Sequence, residues 1–339
     1  MRPLTVRRLL WTCGSLAAVL LACVVVALKL GAVPISVTDL VWNLGRVALG
    51  RSDQLPTEYR LIVFDLRLPR ILLGIMVGAA LSVSGAGFQA LLRNPLADPF
   101  VLGVSSGAAL GSILALIIAP QIALLTPLGA FLGAIATIAA VYFLGRRDGQ
   151  LDSSTLLLGG IISASFLSAI IMFLMTTLAG RDLRGMVFWL MGDLSTPMSA
   201  GLRWIFTVGL LAGIGAIYTT AADLNLMLTG EREAIHLGVD VTRVKLVVYV
   251  SASLLTALAV SASGAIGYVG LLVPHAVRLL FGSDYRLLIP ASALGGAIAI
   301  VLADTLARTV VAPTELPVGA MTAMAGAPLF IYLLRRGMR

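Results

Sequence analysis

Charge is what this chain has least of. Of its 339 residues only 12% are Asp, Glu, Lys or Arg, against 59% hydrophobic, and the mean hydropathy is +1.02. Soluble domains carry about 25% charged residues, so a water-solvated globule is excluded and a membrane protein is indicated. Lysine is scarcer still: Lys29 and Lys245 are the only two, and neither follows a glycine. A G-x-x-x-x-G-K-[ST] phosphate loop is therefore absent, and the chain is no NTPase of that type. The two histidines, His236 and His275, supply neither an H-E-x-x-H motif nor a metal-binding cluster. The two cysteines, Cys13 and Cys23, share one expected helix and cannot pair, which leaves no disulfide framework and no zinc site. No catalytic constellation remains to support an intramembrane enzyme.

Long apolar runs are present in their place. A hydrocarbon core takes about 20 residues per helix. Runs of that order fall at 9–32, 66–91, 100–119, 123–144, 155–179, 201–219, 246–264, 266–282, 287–307 and 317–334. The expected fold is all-α, a polytopic bundle of about ten transmembrane helices in one domain, 1–339. The run at 266–282 follows its predecessor almost without a break and contains Pro274, His275 and Arg278, so a broken or re-entrant helix is the alternative there to a full span. The first run resembles a signal peptide, but Val24, Val25 and Val26 prolong it beyond the roughly 7 to 15 residues of an h-region, so a retained helix is expected.

An even number of crossings puts both termini on one side. Arg2, Arg7 and Arg8 match Arg335, Arg336 and Arg339, and the positive-inside rule makes that side cytoplasmic. Against this bias, Arg46, Arg51, Arg60, Arg67, Arg70, Arg181, Arg184, Arg203 and Arg308 all fall on the outer side, where an acidic partner would explain them. Asp98, Asp148, Asp152, Asp193, Asp284 and Asp304 lie at or near span ends, so no buried carboxylate relay is evident and an ion-coupled carrier takes second place.

Glycine is plentiful, 35 residues, and recurs at four-residue spacing: Gly74 and Gly78, Gly103 with Gly107 and Gly111, Gly129 and Gly133, Gly209 and Gly213. Small residues on one face let helix backbones approach closely in lipid, so most of these helices are expected to pack against protein. "SGAGFQALLRNP" from Ser84 resembles "SGAIGYVGLLVP" from Ser263, which suggests an inverted repeat; chance likeness of glycine-rich strings is the competing reading.

One island in the second half is polar: "NLMLTGEREAIHLGVD", Asn225 to Asp240. Acids at its start and glycines on either side mark a short capped helix over Glu231–Leu237. Ala234, Ile235 and Leu237 give it an apolar side too small to bury in its own loop, so it needs a partner groove.

The strings "RLPR" (67–70), "GAALSVSGAGFQALLRNPLADPFVLGVSSGA" (78–108), "GAIGYVGLLVPHAVRLLFGSDYRLLIP" (264–290) and "ELPVGAMTAMAGAPLFIYLL" (315–334) resemble, in order, the FecCD-type permeases of ABC importers for iron-siderophore complexes, haem and vitamin B12. The resemblance implies a ten-helix subunit in the bacterial inner membrane with cytoplasmic termini. It implies a second permease copy, identical or a paralogue, two cytoplasmic ABC ATPase subunits and a periplasmic binding protein. Membrane lipid is the remaining partner, and nucleic acid is not one. ATP and Mg would be bound by the ATPase subunits, so this chain holds no cofactor and no metal of its own.

Residue by residue, the resemblance makes 220–245 a cytoplasmic coupling loop, with Gly230, Glu231, Arg232, Glu233, Ala234, Leu237 and Gly238 meeting the ATPase. It assigns binding-protein docking to Arg67, Arg70 and Arg308, and an inner gate to Asn94, Leu96, Asp152 and Ser153. The expected cargo is haem or an iron-siderophore, with a corrinoid as the alternative. His275 is expected to be a packed, hydrogen-bonded side chain, and Arg278 to snorkel.

Overall fold

A computed structural model describes residues 4–31, 33–50, 55–119, 121–122, 124–147, 150–177, 183–196, 198–312 and 314–337. Arg2, Arg51, Asp148, Arg181 and Arg339 lie outside the described residues. The first helices are α1 Val6–Lys29, α2 Val37–Ala48, α3 Thr57–Tyr59 and α4 Leu68–Leu91, the last two joined by a π-helical turn, Arg60–Arg67. There follow α5 Val104–Ile118, α6 Leu125–Gly145, α7 Ser153–Thr177, α8 Leu183–Leu190 and α9 Ala200–Thr219. The remainder is α10 Ala221–Met227, α11 Glu231–His236, α12 Val241–Ser263, α13 Val269–Phe281, α14 Tyr285–Thr309 and α15 Val318–Gly337. A two-residue antiparallel pair, Arg146–Arg147 with Gln150–Leu151, closes the turn between α6 and α7.

Among the described residues, seven helices are long and apolar enough to cross a membrane, and the shorter apolar stretches Val104–Ile118, Val269–Phe281 and Val318–Tyr332 occupy the other three expected spans. The ten-span reading therefore stands, with two spans shortened. The one expected at 100–119 begins as an α-helix only at Val104, after a 3-10 turn over Pro99–Leu102, and the one at 266–282 begins only at Val269. Each short helix is entered through a left-handed residue, Gly103 at φ +74° and Tyr268 at φ +69°. The two unwound stretches touch. The Asp98 carboxylate accepts the backbone N–H of Phe100 at 2.8 Å and that of Tyr268, and Pro99 lies against Gly270. Irregular backbone inside a bundle is tolerated where protein satisfies its polar groups, and Asp98 does so for both stretches.

A long buried helix, an unwound stretch, a left-handed entry and a short helix thus occur twice, in α4–α5 and in α12–α13. The start of α12 lies beside the end of α4, so the two units run in opposite directions. The register differs from the one read in the sequence: Ser84 is inside α4, whereas Ser263 is the last residue of α12. The matched strings are therefore not structural equivalents; their likeness reflects the small residues each needs for close packing.

Helix α4 is the buried axis, packed by α12, α13 and α14. A Cβ on Gly78 would strike the carbonyl of Gly296, and one on Gly85 the carbonyl of Gly270. The paired glycines of α5 and α6 meet in the same way, Gly107 with Gly133 and Gly111 with Gly129. Buried hydroxyls add bonds across helices: Ser84 Oγ lies 2.7 Å from the carbonyl of Ala252 and 2.6 Å from Thr256 Oγ1, and Tyr249 donates to the carbonyl of Ile138 at 2.9 Å. Such interhelical bonds average about 0.6 kcal/mol in membranes, so backbone proximity sets the arrangement and the hydroxyls refine it.

At 1.5 Å per residue, the 24 residues of α4 separate two ends of the bundle by about 36 Å. Arg8 donates to the carbonyl of Phe281 at 2.7 Å, which holds the start of α1 at the end where α4 finishes. Helix α15 starts beside Gly192 and Glu315 at the opposite end and returns, so both described termini share one end.

Candidate functional site

The polar island folds as a short capped helix, standing between α10 and α12 rather than in a loop. The turn after α10 closes at Gly230, whose φ of +142° is a conformation that side chains disfavour. Glu231 and Glu233 occupy the first turn of α11, where the helix dipole favours anions. The helix ends one residue earlier than expected, with Leu237 as its C-cap. Gly238 at φ +88° then donates to the carbonyl of Ile235 at 2.9 Å, and Val239 to that of Ala234 at 3.0 Å. These are the paired bonds of a Schellman turn, for which glycine is the usual residue.

The apolar side read from the sequence divides. Ala234 is fully buried against the bundle, while Ile235 and Leu237 are 57% and 63% exposed. Arg232 and Glu233 are also exposed. Glu231 anchors the helix: its Oε1 lies 2.7 Å from Lys245 Nζ on α12 and 3.5 Å from Arg93 beyond α4. Asn225 of α10 donates to Asp284 at 2.8 Å and accepts the N–H of Tyr285 at 2.8 Å, which ties the island to the start of α14. An Arg286 bond holds the Asp284 carboxyl below its usual range, helped by Asn225 and opposed by burial.

Of the expected gate residues, Asn94 folds onto its own loop, accepting the N–H of Leu96 at 2.9 Å, and Leu96 is 37% exposed. The Asp152 carboxylate caps α7, accepting from the N–H and hydroxyl of Thr155 at 2.7 and 2.6 Å. Ser153 begins α7, and its side chain lies outside the described residues.

The three arginines expected to face a partner are at the opposite end, Arg67 and Arg308 buried and the Arg70 side chain 10% exposed. Arg67, 6% exposed, donates to the carbonyls of Leu28, Lys29 and Val33, capping the end of α1. Arg70 meets Asp304 at 2.8 Å and Glu315 at 2.7 Å; Arg308 meets Asp304 at 3.0 Å and the carbonyl of Ala27 at 3.4 Å. Asp304, 2% exposed, is a buried carboxylate near the end of its span that serves two arginines rather than a relay. Unpaired guanidinium groups at an apolar edge are costly, and partners from α1, α14 and the segment before α15 are within reach. Glu315, at 48% side-chain exposure, is the open member of this rim.

Two further expectations change. Arg278 bonds Gln89 at 3.1 Å and the Tyr285 side chain instead of snorkelling freely, and His275 Nδ1 is buried without a hydrogen-bond partner among the described residues. The sequence reading missed Arg93, Lys245, Asn225, Asp304 and Glu315 as site residues. The spacing of Asp304 and Arg308, four apart on one helix, was an available signal. The contacts of Arg70, 234 and 245 positions away, carried none.

A family model described as the FecCD transport family matches residues 19–336. The cobalamin import system permease protein of Halobacterium salinarum is 43% identical, over 90% of this chain and 82% of the relative. The hemin transport system permease protein of Yersinia pestis is 41% identical, over 81% of this chain and 83% of the relative. A solved structure described as an inward-facing conformation of a metal-chelate type ABC transporter aligns with a TM-score of 0.82 at 32% identity, covering 96% of this chain and 98% of that one.

Proposed function

The chain belongs to the FecCD transport family, and from that premise we propose that it is the membrane-spanning half of a binding-protein-dependent ABC importer for a metal chelate. Two copies surround the path; ATPase subunits drive them from the cytoplasmic side and a binding protein loads them from the other. The observation that carries this reading is α11: a rigidly capped helix that buries Ala234 and offers Ile235 and Leu237 to a partner, in a chain with no phosphate loop of its own. The ATPase contact is assigned to Gly230, Glu231, Arg232, Glu233, Leu237 and Gly238 together with the exposed Ile235, while the buried Ala234 seats the contact helix on the bundle. On this reading α11 and both termini face the cytoplasm and the bundle sits in a bacterial inner membrane.

Docking of the binding protein is assigned to the rim at Arg67, Arg70 and Arg308. The half-exposed Glu315 supports a carboxylate exchange there, with an incoming acid taking its place on Arg70. Charge pairs of this kind steer and register a complex more than they tighten it. Asn94, Leu96, Asp152 and Ser153 are assigned to the inner gate. An iron chelate, haem or siderophore, is the first reading of the cargo. A corrinoid is the second, favoured by the 43% identical cobalamin permease.

The test has two parts. Ile235→Cys is crosslinked to the ATPase subunits in the assembled complex, and uptake of haem, a ferric siderophore and cobalamin is compared in proteoliposomes. Crosslinking together with uptake that needs ATP is expected. Uptake driven by a proton gradient alone sinks the proposal.

A further inference from the structure

We infer that Arg93 is a positioning residue that yokes the loop Asn94–Leu96 to α11 through the shared carboxylate of Glu231. The inference rests on the reading of α11 as the ATPase contact and names the link by which its movement reaches the gate.

The backbone gives the first observation. Helix α4 closes with the two bonds of a Schellman turn, Arg93 N–H to the carbonyl of Ala90 at 3.3 Å and Asn94 N–H to that of Gln89 at 3.2 Å. The left-handed position of such a turn ordinarily holds glycine, as Gly238 does at the end of α11. Here Arg93 stands at φ +48°; Tyr268 is the only other described non-glycine residue at positive φ. A side chain in that region strains the backbone and is kept where the surroundings use it. The fold would close as well, with less strain, on a glycine.

The second observation is where that side chain goes. Arg93 Nη2 lies 3.5 Å from the carbonyl of Met227, the last residue of α10, and 3.5 Å from Glu231 Oε1, the first residue of α11. The same oxygen takes Lys245 Nζ at 2.7 Å. One carboxylate therefore forks between the end of α4 and the first turns of α12, the long helices of the two opposed units. Lys245 alone neutralises Glu231, and Arg93 is 46% exposed, so the second contact adds little stability. Its consequence is positional: a shift of α11 is carried to the residue directly before Asn94.

The test uses the full complex, with Cys13 and Cys23 changed to Ala and Leu96→Cys added. The rate at which a membrane-impermeant maleimide labels position 96 is measured with and without trapping by ATP and vanadate. Trapping is expected to shift the rate in this background. Arg93→Gly is expected to reduce the shift roughly tenfold, the scale of ordinary coupling between sites, while its melting temperature equals or exceeds the parent's. Arg93→Lys, which keeps the cation, is expected to recover part of the shift. A shift of parental size in Arg93→Gly overturns the inference, as does an absent shift in the parent. A lowered melting temperature in Arg93→Gly also overturns it, since the contact is then a structural brace. Failure of the separate Ile235→Cys crosslink instead removes the reading on which the inference rests.

Discussion

Arginine is used in opposite ways at the two ends of this bundle. At one end Arg67 and Arg308 are buried and the Arg70 side chain is 10% exposed, and all three are bonded to carbonyls or carboxylates, most of them from distant segments. At the other, Arg93 is about half exposed and reaches one carboxylate at 3.5 Å, which it shares with Lys245. A buried network tolerates no missing member, because each charge left behind is desolvated and unpaired. An exposed contact is screened and contributes little, so it can break and re-form without threatening the fold. The first end holds helices in register, and the second leaves a small helix free to be pushed.

The largest expected effect comes from breaking the rigid end. Asp304→Asn leaves Arg70 and Arg308 buried with Glu315 as the one remaining carboxylate partner. Loss of one partner of a buried pair costs about 3–5 kcal/mol, read as the loss in unfolding free energy in detergent. Glu315→Gln, at the exposed side of the same network, should cost less than about 1 kcal/mol. Equal effects of the two substitutions would erase the distinction drawn between buried and open members of the rim.

An intermediate effect is expected at the other end, and in binding rather than folding. Ile235→Asp combined with Leu237→Asp removes exposed apolar surface, so stability should stay within about 0.5 kcal/mol of the parent. Affinity for the ATPase subunits should fall at least roughly tenfold, because anchor residues of this kind carry most of an interface's energy. Titration of the reconstituted chain with its ATPase measures this. Unchanged affinity would mean that α11 is not the contact.

The same contrast explains what could be read from the sequence. Ten spans were legible because each is an apolar run, and the capped helix at Glu231 was legible because its acids and glycines are local signals. Helices α2 and α8 were not anticipated: each is too short to register as a span. The burial of Arg67, Arg70 and Arg308 was illegible for a different reason. Apart from the Asp304 and Arg308 pair on α14, their partners lie on other segments, on α1, on α14 and before α15, and only tertiary packing brings them together. The break at Gly264–Tyr268 was half legible, announced by a run that follows its predecessor almost without a gap and holds Pro274, His275 and Arg278, but its pairing with Asp98 left no local signal.

The smallest effect sharpens the comparison through pH. Asp284 caps α14, accepts from Arg286 and Asn225, and is partly exposed. The Arg286 bond, aided by Asn225 and the Arg286 N–H, holds its carboxyl below the usual range, with burial acting the other way. A folded-state pKa depressed in this way contributes stability that is complete above the unfolded value of about 3.9 and is lost as pH falls through the folded value. Asp284→Asn should therefore melt below the parent at pH 7, by an amount equivalent to less than about 1 kcal/mol. The two curves should converge in acid as the parent's carboxyl takes up its proton. A gap that persists unchanged well below the ordinary aspartate range would show that the cap works by shape rather than charge. The island and α14 would then be joined as rigidly as the buried rim, and the coupling end would lose the looseness that sets it apart.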